Sequence, residues 1–63
     1  MQYTDAAHKV LMRIENRTRR IEVAGYAQHL ARAAGRTQVT MADMESALLV
    51  AGPEFLPSLQ EAR

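Results

Sequence analysis

The sequence predicts an all-α fold, a small module of three to four helices whose second half is a helix–strap–helix unit. Three observations carry this. Ala7, Val10, Leu11 and Ile14 recur at three- and four-residue spacing, the stripe of an amphipathic helix. The run from Ala31 to Leu48 reads as a helix end, a tight turn and a capped helix start. Gly35 supplies its left-handed closing position, Thr40 its N-cap, and Asp43 the third-residue partner of a capping box. Gly52-Pro53 then reads as a helix stop, a C′ glycine followed by a residue that cannot continue a helix.

Thr4 caps the first helix, and Asp5 in its first turn complements the helix dipole. The segment Glu15-Asn16-Arg17-Thr18 holds no Gly or Pro, but Asn16 is a weak helix former and Thr18 interrupts the apolar stripe. A break there gives helices near 5–15 and 18–34; one continuous helix near 5–34 is the alternative. The second helix takes Ile21, Val23, Ala24, Ala27, Leu30, Ala31 and Ala34 as its apolar set. Gly25 in its interior costs about 1 kcal/mol relative to Ala. It reads either as a close crossing by another helix, such as one from a second copy, or as a tolerated weak spot. The third helix runs from 41 to 51, with Met41, Met44, Ala47, Leu48 and Ala51 inward, and Val39 and Met44 placed as a hydrophobic staple. Ile21, Leu30, Val39, Met44 and Leu48 are the expected interior. The tail 52–63 holds Phe55, Leu56 and Leu59, and packs as an irregular strap or a last helical turn, or stays mobile.

Sixty-three residues make one domain, here 1–63. A chain this short buries only about 60% of its unfolded surface, so a lone core is marginal. With no Cys, neither a disulfide nor a thiolate metal site supplements it. Regular helix packing, self-association or docking on a larger partner must do so. No signal peptide or bilayer-spanning apolar run is present, so a cytoplasmic protein without a membrane partner is expected. Net charge is +1 but lopsided: seven basic against three acidic residues through Thr40, one against four thereafter. That split suits an acidic partner, or pairing between the two parts.

No constellation carries catalysis. Ser46 and Ser58 have no neighbouring His, and His8 and His29 lie far apart. His8 shares a face with Asp5, but a metal would need further ligands; a solvated or staple-like side chain is the expectation. Gly25 and Gly35 make no phosphate loop. Glu15 and Glu22 read as ion-pair partners of Arg19 or of other nearby arginines. No catalytic, cofactor-binding or metal-ligating residue is therefore assigned. The one candidate binding feature is the basic arc Lys9, Arg13, Arg17 and Arg20, with Arg19 nearby and Arg36 further on. It suits phosphates without base reading, or is simply a solvated, partly paired helix face. No Trp is present, which disfavours a single-strand stacking platform.

Over residues 3–48 the chain resembles the small domain at the C-terminus of the B subunit of light-independent protochlorophyllide reductase, a domain also found in short stand-alone bacterial proteins. The residues that carry the likeness are Tyr3-Thr4, Ala7, Leu11 and Ile14, then Arg19, then Ala31-Arg32, Gly35 and Val39-Thr40. Tyr3 replaces the family's Trp, Glu15 stands where it has Pro, and Ala27-Gln28 replaces Ile-Glu. One extra residue separates the two halves. The run Ala34-Gly35-Arg36-x-x-Val39-x-x-x-Asp43-Met44-x-x-Ala47-Leu48 also looks like the end of a histone fold, and like the helical lid of an AAA+ ATPase. A histone's long central helix, counted back from Gly35, would consume almost everything from His8 onward. That length argument ranks the histone reading second.

The resemblance implies a non-enzymatic accessory module, since catalysis in the reductase belongs to its large body. No iron–sulfur ligand carries over. The expected partner is a protein or a second copy, as a homodimer. The alternative is a small dimeric histone-like protein that holds duplex DNA through phosphate contacts from Arg13, Arg17, Arg19, Arg20 and Arg36.

Overall fold

The computed structural model describes residues 1–57. Its elements are β1 (Gln2–Tyr3), α1 (Asp5–Met12), α2 (Arg17–Ala33), β2 (Gln38–Val39), α3 (Met41–Ala51) and a 3₁₀ turn (Pro53–Phe55). The fold is mostly helical, as the sequence predicts, with three α-helices and one very small sheet among the described residues.

Local chemistry sets most boundaries. The Thr4 hydroxyl accepts the Ala7 amide at 3.2 Å and starts α1. The helix closes three residues earlier than expected, at Met12, because the amides of Arg13 and Ile14 turn to Val10 and Leu11. These tighter bonds satisfy the last carbonyls and carry Ile14 into the core beyond the helix end. Asn16 then caps α2, its Oδ1 accepting the Arg19 amide at 3.1 Å. The two-helix arrangement thus holds over the single long helix. Asn16 disfavours a helix interior for the same reason that it makes a good start: its amide oxygen competes for backbone N–H groups.

At the far end of α2, Gly35 adopts φ +74°. The amides of Gly35 and Arg36 reach back to Arg32 and Ala31, both at 2.9 Å, which is a Schellman closure. Val39 and Thr40 follow, and Asp43 Oδ2 accepts the Thr40 amide at 2.9 Å and its hydroxyl at 3.2 Å. Asp43 also accepts from the Arg36 guanidinium, so this buried carboxylate fastens the strap to the start of α3.

The sheet was not expected. Gln2 pairs with Gln38 and Tyr3 with Val39, in parallel, and the Thr4 amide extends the ladder to the Val39 carbonyl at 3.0 Å. The Tyr3 hydroxyl accepts from Gln28 Nε2 at 2.8 Å, which ties the N-terminal segment to α2.

The core lies where the three helices meet, and α3 packs chiefly along α2. Val10, Ile14, Val23, Val39, Met44 and Leu48 are fully buried, with Ala7, Ala27, Ala31 and Ala47 filling the rest. Leu30 is half-buried. Ile21 is a correction: it is 61% exposed. Val23, Ala27 and Ala31, at four-residue spacing, define the inner side of α2, and Ile21 falls outside that row. Gly25 also faces outward, with no atom within 4 Å of a would-be Cβ, so no helix among the described residues crosses there.

Gly52 is not a left-handed stop either. Its φ is −161°, an extended value open to any residue. The requirement is for space, since a Cβ would lie 3.0 Å from the Phe55 ring and 3.3 Å from Val23. Phe55 and Leu56 are half-buried against the core, so the start of the tail packs as a helical turn. Leu59 and the rest of the expected tail lie outside the described residues.

Candidate interaction surfaces

The structure divides the six candidate cations. Arg19 lies in the first turn of α2, where Nη1 donates to the Ala51 carbonyl at 3.3 Å and pairs with Glu22 at 3.4 Å. Its Nε is 3.6 Å from Glu54. It therefore caps the C-terminal end of α3, a place where a cation is favoured by the helix dipole. Arg36 is held by Asp43. Both serve the fold first; the Glu22 pair is legible in the spacing, whereas Ala51, Glu54 and Asp43 lie on other elements and are not.

The other four follow the α1–α2 junction. Lys9 occupies the last turn of α1, Arg13 is its C-cap, Arg17 opens α2 and Arg20 stands one turn along. Lys9, Arg13 and Arg17 are exposed, and Arg20 is half-buried. Lys9 and Arg13 complement the C-terminal end of α1. Arg17 and Arg20 gather positive charge at an N-terminal helix end that has no acidic residue in its first turn.

The histidines do not converge. Both are exposed, and His29 stands beside Tyr26 with ring centroids 6.4 Å apart. Among the described residues, no group of three His, Asp or Glu side chains is placed to hold a metal, and no cavity opens. Among the described residues, no helix is long and apolar enough to cross a membrane. Of the two glutamates read as partners for Arg19, Glu22 makes the pair.

The surface that the sequence reading missed is the outer side of α3. Leu49 is 61% exposed and Val50 63%, and Ala42 and Ser46 are exposed on the same helix. Glu45 is the one charged residue among these outward positions. The signal was present. Leu48-Leu49-Val50 is an apolar triplet at the end of a helix, and consecutive residues turn through most of a helical circumference. With Leu48 fully buried, its neighbours have to face outward.

No family model, no curated protein and no solved structure matches this chain. What the fold defines is a small, mostly α-helical module.

Proposed function

We propose that the chain is a non-catalytic interaction module that docks on a protein partner, similar in role to the small C-terminal domain of the light-independent protochlorophyllide reductase B subunit. The observation that carries this reading is the bare apolar outer face of α3, with Leu49 and Val50 at its centre. An exposed apolar helix face rimmed by polar residues is what a protein interface presents before it is covered.

The residues of the family likeness supply a second support. Thr4 starts α1, Ala7, Leu11, Ile14 and Val39 are buried, Gly35 makes the left-handed closure, and Arg19 caps α3. All are scaffold positions. They favour a shared architecture and leave the outer faces free to differ.

A photocrosslinking residue placed at position 49 in cells tests the proposal. A discrete protein adduct is expected from position 49 and none from position 29 on the outside of α2. No adduct at 49 would overturn the reading. The phosphate-binding alternative rests on Lys9, Arg13, Arg17 and Arg20 alone once Arg19 and Arg36 are assigned to the fold. A gel shift with duplex DNA that is strong at low salt and collapses as salt rises would replace the docking proposal with that one.

A further inference from the structure

We draw no further inference here: the strongest candidate, the apolar outer side of α3 around Leu49 and Val50, belongs to the docking reading already proposed, and nothing in the structure shows what covers it.

Discussion

Helices α2 and α3 line the same core, yet their outer faces are built on different terms. On α2 the outward residues include Thr18, Glu22, His29 and Arg32, with Gly25 leaving a smooth stretch between them. That face is mostly polar, with Ile21 and Tyr26 its exposed large apolar side chains. On α3 the outward positions are Ala42, Glu45, Ser46, Leu49 and Val50. Burial on the inner side is therefore no guide to the finish of the outer side. The outer side of α3 carries two neighbouring, largely exposed aliphatic side chains, Leu49 and Val50.

The largest expected effect breaks what the two helices share. Leu48→Ala empties a fully buried position between them and should cost about 2–5 kcal/mol, read by urea or thermal unfolding. Both helices should melt in one transition. Next comes the anchor of α3. Asp43→Ala removes the acceptor of the Thr40 amide, the Thr40 hydroxyl and Arg36, and should destabilise by about 1–3 kcal/mol. Asp43→Asn keeps an oxygen acceptor but not the charge, so it should recover part of that loss.

Smaller changes sharpen the contrast between the outer faces. Gly25→Ala has open space and helical backbone, so it should raise stability by about 0.5–1 kcal/mol in the same melts. A loss would mean that another helix does cross α2 there. Ile21→Lys, on the same open side, should stay within about 0.5 kcal/mol.

The parts of the fold that could be read from sequence are those fixed by neighbours in the chain. Thr4, Gly35 and the Thr40–Asp43 pair act within a few residues of themselves, and each does in the structure what its type implies. Asn16 goes further and caps α2 where only a break was foreseen. Ile21 misled because apolar character was read without the inner row set by Val23, Ala27 and Ala31. The two-residue strands were invisible, since alternation needs a longer run than Gln2-Tyr3 or Gln38-Val39 to register. Gly52 was read through backbone freedom, whereas the reason for it is the Phe55 ring above.

The candidate surface divides along the same line. The basic arc was visible as a spacing of charges, but which cations serve the fold depends on Ala51, Glu54 and Asp43. The outer side of α3 was legible in Leu48-Leu49-Val50 once one of the three had been assigned inward.

The pairing of Tyr3 with Val39 sets an order on the birth of this protein. Gln2-Tyr3 leave the ribosome before Gln38-Val39, so the small sheet closes only after the whole of α2 has been made. The amide of Thr4 keeps that record, because its hydrogen bond to the Val39 carbonyl joins residues made well apart in time. Its exchange with deuterium is a one-proton clock for the moment when the whole molecule shuts.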